Sequence, residues 1–333
     1  MSPAMRLQFQ KTISTSSKSF PIAIVVAVLL WLFLPVSSAP SFYGKPAYWP
    51  MLLGLSPFNQ LTGGAIVAIL AVYIMVELNH THILLRVSSR MLGSVLVLLL
   101  AIAIPLHVLQ QSDVVLITVL LAYSPLFASY QNPQPSLAFA TMFLMSLASL
   151  LVPEWLFMVP FYVLLQAFLR AFTLQTLMAS LLGLLLPYWF WAAWAVHTDN
   201  LPIIWEHFRS LQDVFSQPFS LSPFFVTPCP PAPLLFFMLL LFLVGTFDLF
   251  QHQFLDKTRT RSILKAVVYH GFAIIGLMLL LPHRHLLFFP AFVVDTAILF
   301  GHFFTLTYTR FSHILNIVLL FCALLSVYFY YSL

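Results

Sequence analysis

Charge is what this sequence has least of. Asp, Glu, Lys and Arg make up 7% of its 333 residues, where a soluble domain carries about a quarter. A water-soluble fold of this size could not cover its surface with so few charges. Cysteine is also scarce, with Cys229 in a Pro-rich loop and Cys322 inside an apolar run. The two fall in different layers, so neither a disulfide nor a cysteine metal site is expected. Signature motifs are missing as well. There is no Gly-rich phosphate loop, no Walker lysine, no Gly-x-Ser-x-Gly elbow and no His-Glu-x-x-His pair. No motif implies a cofactor, haem included, and no metal site is expected.

Apolar residues fill the space. They make up 61% of the chain, with a mean hydropathy of +0.99. Runs of about 20 apolar residues recur, the length of a helix crossing a hydrocarbon core of about 30 Å. A membrane barrel would show short alternating strands instead. The fold class expected is therefore all-α, a polytopic transmembrane helix bundle forming one integral membrane domain over residues 1–333. Eleven spans are predicted, near 20–39, 60–77, 91–109, 113–130, 136–152, 155–170, 173–196, 233–252, 265–282, 286–306 and 312–331. Lys18, the following apolar run and "PVSSAP" also resemble a signal peptide with a cut after Ala39, but the run is long for a signal core.

Charge sets the direction. With the N-terminus inside, Arg6, Lys11, Lys18, Arg86, Arg90, Arg170, Lys257, Arg259, Arg261, Lys265 and Arg310 fall inside, and Lys45, Arg209 and Arg284 outside. That is 11 against 3 of the 14 basic residues, the asymmetry of a cytoplasmic N-terminus. The net charge of +5 then reads as orientation and contact with membrane lipid rather than nucleic-acid binding. Residues 197–232 become a periplasmic loop. Its start, "HTDNLPIIWEHFRSLQDVF", spaces Ile203, Ile204, Phe208, Leu211 and Phe215 as one face of a short amphipathic helix on the outer surface. A Pro-rich extended segment follows. Near the outer interface, "LLLPYWFWAAWAVH" (184–197) reads as an aromatic belt.

Against so apolar a background, the ionisable residues stand out. Asp248 ("LVGTFDLFQHQF") and Asp295 ("FPAFVVDTAILFGHFF") lie within spans, where an ionised carboxylate costs roughly 3 kcal/mol on insertion scales. Each shares a helical face with a histidine, Asp248 with His252 and Asp295 with His302. His270 adds a third imidazole. The stretch "MVELNHTHILLRVSSR" (75–90) contributes Glu77 and His80 at an inner membrane surface. The threading puts Asp248, His252, His270, His302, Glu77 and His80 in the inner half of the bilayer and Asp295 near the midplane. This layer is the candidate substrate- or ion-binding site. Asp and His with tunable pKa values suit a proton relay; interhelical hydrogen bonds that hold the bundle are the plainer reading. On the outer side, His283, Arg284 and His285 form a polar turn that could bind an anion.

The runs "VELNHTHILLRVSSRM", "LLLPYWFWA" and "HFFTLTYTRFSHI" resemble a polytopic inner-membrane family of Bacteroidetes. The resemblance implies a cell-envelope location, but no activity and no catalytic residue. It points to Glu77, Asn79, Arg86, Arg90 and Arg310, with His80 and His82 between the two halves of the first motif.

Three functions compete. Translocation of an ion or substrate through the polar layer comes first. A structural subunit of an envelope membrane complex, with protein partners, comes second. An envelope enzyme acting on a lipid-linked substrate comes third, weakened because residues 40–59, the first outer loop, contain no acid. Residues in such a loop commonly serve membrane glycosyltransferases that use lipid-linked sugars.

Overall fold

The computed structural model describes residues 19–32, 57–85, 89–103, 107–216, 220–224 and 231–306, with Ile314, Leu315, Val318 and Phe321 beyond them. Among these, 87% are helical and none is in a strand. Eleven α-helices follow in order: α1 (Ser19–Leu32), α2 (Pro57–His82), α3 (Met91–Ile102), α4 (Ser112–Ala128), α5 (Pro135–Leu151), α6 (Val159–Phe168), α7 (Leu174–His197), α8 (Pro202–Ser216), α9 (Pro231–His252), α10 (Thr258–Leu280) and α11 (His285–Leu306). Ten of them fall on predicted spans, and α8 falls on the predicted amphipathic helix. The predicted span 312–331 lies almost wholly outside the described residues, as do Arg86, Arg310, Cys229, Cys322 and the region of the Ala39 cut.

Among the described residues, five helices are long and apolar enough to cross a membrane: α2, α7, α9, α10 and α11. They make the chain compatible with an integral membrane protein. The apolar helices α1, α3, α4, α5 and α6 have 10–17 residues, below the roughly 20 that a perpendicular crossing needs. One of these short helices has a visible cause. The predicted span at 155–170 opens as a 3₁₀ turn, Pro153–Met158, before α6 begins at Val159. Helix α3 ends at Ile102, and the His107 imidazole meets its last carbonyls. Nε2 of His107 donates to Leu100 O at 3.1 Å and to Ala101 O at 3.0 Å, satisfying acceptors that a helix end leaves open.

Contacts divide the chain into two compact units. The first comprises residues 1–110, 224–264 and 293–333. In it α1 and α2 pack on α3. The second half of α11 meets α9 at Gly245 and α3 at Gly301, where a Cβ would collide with Leu299 and Leu92. The second unit comprises 111–223 and 265–292. Its centre is the pair α5 and α7, whose backbones close together at Gly183: a Cβ there would lie 2.5 Å from Phe139 O. Small residues at such crossings let membrane helices approach. Ser146 Oγ donates across the same contact to Leu184 O at 2.7 Å. Thr173 starts α7 with a reciprocal cap, accepting from Thr176 N at 3.2 Å.

Candidate functional site

The first unit holds six of the seven residues of the predicted polar layer, and three of them, Asp248, His252 and His302, lie in two carboxylate–imidazole pairs. On α9, Asp248 and His252 sit one turn apart, and their side chains meet at 2.9 Å (Oδ1 to Nδ1). Asp248 is 7% exposed, while His252 is half-buried. The second pair joins elements remote in sequence. His302 near the end of α11 lies 3.4 Å from Asp256, in the connection between α9 and α10, and both side chains are buried. Asp295 is 0% exposed on α11, a helix enclosed along its whole apolar length.

Glu77 and His80 are exposed on α2, and Asn79 and His82 are buried instead. Near Glu77, the Thr81 hydroxyl donates back to its backbone carbonyl at 3.0 Å. Asn79 organises the turn that leaves α2. Its Oδ1 accepts from Leu85 N at 3.2 Å and its Nδ2 donates to Ser89 O at 3.0 Å. Between them Ile83 takes φ 51°, a left-handed conformation that β-branched residues avoid. The first turn of α10 closes over this turn. Arg259 Nη2 lies 3.5 Å from His82 Nδ1, and Thr260 Oγ1 donates to Ile83 O at 3.3 Å. Among the described residues of 75–90, the end of α2 thus carries Asn79 and His82 into the turn that follows it.

His270 belongs to the second unit. It is 1% exposed, with Tyr123 Oη 2.8 Å from its Nδ1. The Tyr123 and Tyr162 rings both stand edge-on to it at 5.3 Å. One turn beyond Tyr162, buried Gln166 accepts from Ser180 Oγ at 3.2 Å. Elsewhere in this unit, Arg284 is paired: its Nε lies 3.4 Å from Oε1 of the buried Glu154. An anion arriving there meets an ion pair rather than a lone cation. His283 is exposed, and His285 is buried with Nδ1 2.5 Å from Pro282 O.

The amphipathic helix α8 docks through a residue that periodicity hides. Among the residues of α8 whose burial is described, His207 is the buried one, at 0% exposure, while Phe208, one of five residues expected on the apolar face, is exposed. The imidazole is ringed by Tyr188, Trp191 and Phe208, with centroids 5.7, 5.1 and 5.3 Å away. Its Nε2 lies 3.2 Å from Tyr188 Oη, which is itself 2.9 Å from Ser149 Oγ. Burial among these rings lowers the His207 pKa to about 4. Trp189 and Trp194 of the aromatic belt are exposed.

Comparison of the chain with known protein families, known proteins and solved structures found no match. The chemistry must therefore be read from the residues. Among those described, no group of three or more His, Cys, Asp or Glu is arranged to hold a metal ion. A cleft of about 420 Å³ on α9 is lined by Phe236, Leu239, Leu240, Leu243, Val244 and Phe247, an apolar surface with no ionisable group to hold a polar substrate. What the first unit does offer is two carboxylate–imidazole contacts, Asp248–His252 and Asp256–His302. Asp256 was missed because an Asp between Leu255 and Lys257 reads as a solvated loop residue. Glu154 was missed because it opens a Pro-containing turn.

Proposed function

We propose that the protein is an inner-membrane translocator with eleven spans and a cytoplasmic N-terminus. Its coupling groups are Asp295 and the carboxylate–imidazole pairs of the first unit. The observation that carries this reading is Asp295, enclosed completely on a helix of span length and composition. Keeping a carboxylate there costs roughly 3 kcal/mol on insertion scales, which a purely structural helix would avoid with an apolar residue. The Asp248–His252 pair adds an acid and a base in hydrogen-bond contact within a second long apolar helix. The ion that suits this chemistry is the proton, since Asp and His exchange it without a coordination shell.

The test is proton flux. Purified protein is reconstituted into vesicles holding a pH-sensitive dye, and a potassium diffusion potential is imposed. The wild type acidifies the lumen, and Asp295→Asn and Asp248→Asn abolish the signal at equal protein content. A wild type that moves no proton, or variants that move as many, ends this reading.

The structural-subunit reading draws on a different observation: the pairs described are closed on one another, as in a bundle held by internal hydrogen bonds. It predicts a stoichiometric protein partner after mild extraction. Purification of the chain alone, in active form, removes it.

A further inference from the structure

The connection between α9 and α10 is very short. The apolar stretches Leu234–Leu255 and Thr258–Leu280 are both candidate spans, and only Asp256 and Lys257 separate them. The tip of such a hairpin lies at the bilayer boundary, whichever side it faces. Three cations crowd this tip: Lys257, Arg259 and Arg261. Lys257 and Arg259 are exposed and Arg261 is half-buried. Arg261 N donates to Lys257 O at 2.9 Å, so helical spacing already holds from Lys257 onward. The Lys257 and Arg261 side chains are therefore i,i+4 neighbours of like charge, an arrangement that destabilises a helix. They also stand at the N-terminal end of α10, where the helix dipole disfavours cations.

The acid that could neutralise them is turned away. Asp256 is buried against His302. Arg259 faces the His82 imidazole, and neither Lys257 nor Arg261 has an ion-pair partner among the described residues. Beside the cations, Phe254 and Leu255 are exposed. Apolar side chains next to unneutralised cations at a membrane boundary match a lipid, with acyl chains against Phe254 and Leu255 and a phosphate against the charges. A soluble anion or an acidic protein segment would have no use for the exposed Phe254.

We propose that the α9–α10 tip is an anionic-lipid site, in which Lys257, Arg259 and Arg261 hold a phosphodiester headgroup. Asp256 of the neighbouring Asp256–His302 pair lies in the same connection, so an occupied headgroup site would also hold that segment in place. This inference stands apart from the translocation reading.

The full-length protein in a non-ionic detergent is titrated with phosphatidylglycerol, phosphatidylcholine or glycerol phosphate, and thermal unfolding is followed. Phosphatidylglycerol raises the midpoint more than phosphatidylcholine. The excess disappears at about 1 M salt, where the Debye length is about 3 Å. Lys257→Gln/Arg261→Gln does not lower the lipid-free midpoint, since it removes a like-charge pair, but it loses the excess and binds anionic vesicles about thirtyfold more weakly, for two cations removed. Arg284→Gln, a cation of the second unit, keeps the excess. Equal effects of the two lipids, an excess that survives the double substitution, or equal loss in Arg284→Gln would overturn the proposal. Equal stabilisation by glycerol phosphate would show a free-anion site and overturn the lipid assignment.

Discussion

His302 Nε2 lies 3.4 Å from Asp256 Oδ1, and neither side chain reaches the surface of its unit. The contact ties the segment between α9 and α10 to the last turns of α11, over 46 residues of sequence. Removing one member of a buried pair strands the other, at a cost of about 3–5 kcal/mol. Asp256→Ala and His302→Ala are each expected to lower stability by that amount in detergent unfolding. Asp256→Leu/His302→Leu, which replaces the pair by apolar bulk, is expected to be milder than either. Single-site losses that simply add in the double variant would show that the two residues are not coupled.

The strongly periodic and strongly apolar parts of this chain were legible. Each of the ten predicted runs that fall among the described residues holds an α-helix, because an apolar segment has few other ways to satisfy its backbone. The end of α3 was not legible. There His107 folds back onto Leu100 and Ala101, a contact that no hydropathy window contains. Pairings were also beyond sequence reasoning. Periodicity puts His302 on the face of Asp295, but its carboxylate contact comes from Asp256, in a different element. At 75–90 the polar residues were conspicuous and their roles were not: Asn79, with a short side chain of two hydrogen-bonding atoms, shapes the turn that Glu77 and His80 only border.

That turn makes a prediction of its own. Ile83 holds φ 51° and its side chain is exposed, so little packing offsets a conformation that costs an L-residue roughly 1–2 kcal/mol. Asn tolerates this region. Ile83→Asn is expected to raise stability by about 1 kcal/mol, and Asn79→Ala to lower it by about 1–2 kcal/mol through two lost hydrogen bonds. A thermal unfolding midpoint that falls for Ile83→Asn would place the strain elsewhere.

Two glycines separate close approach from mere flexibility. A Cβ on Gly64 would lie 2.3 Å from the backbone oxygen of His107, and one on Gly276 meets nothing within 4 Å. Both are within helices. Gly64→Ala must push the 107–109 segment off α2, where Leu109 N donates to Gln60 O at 2.9 Å, and is expected to cost about 1–3 kcal/mol as an overpacked contact. Gly276→Ala removes backbone freedom from the unfolded chain without a clash and is expected to add about 0.5–1 kcal/mol. Opposite shifts of the unfolding midpoint are the check.

The docking of α8 carries a pH dependence whose sign follows from His207. Its pKa is lowered from 6.5 to about 4 by burial among Tyr188, Trp191 and Phe208. Between those values the unfolded chain binds a proton at this site and the folded chain does not, so stability rises with pH there. The stabilising contribution is complete above 6.5, is lost as pH falls through the window, and changes no further below about 4. A charged imidazole would also be desolvated among the rings, which favours release of the helix. Limited proteolysis within 197–232 is therefore expected to accelerate as pH approaches 4 from above 6.5. In His207→Phe, whose ring keeps the aromatic packing but cannot take a proton, that acceleration is expected to be much weaker, although the loss of the Tyr188 contact raises its baseline. If His207→Phe and the wild type show the same acid response, another group controls the docking of α8.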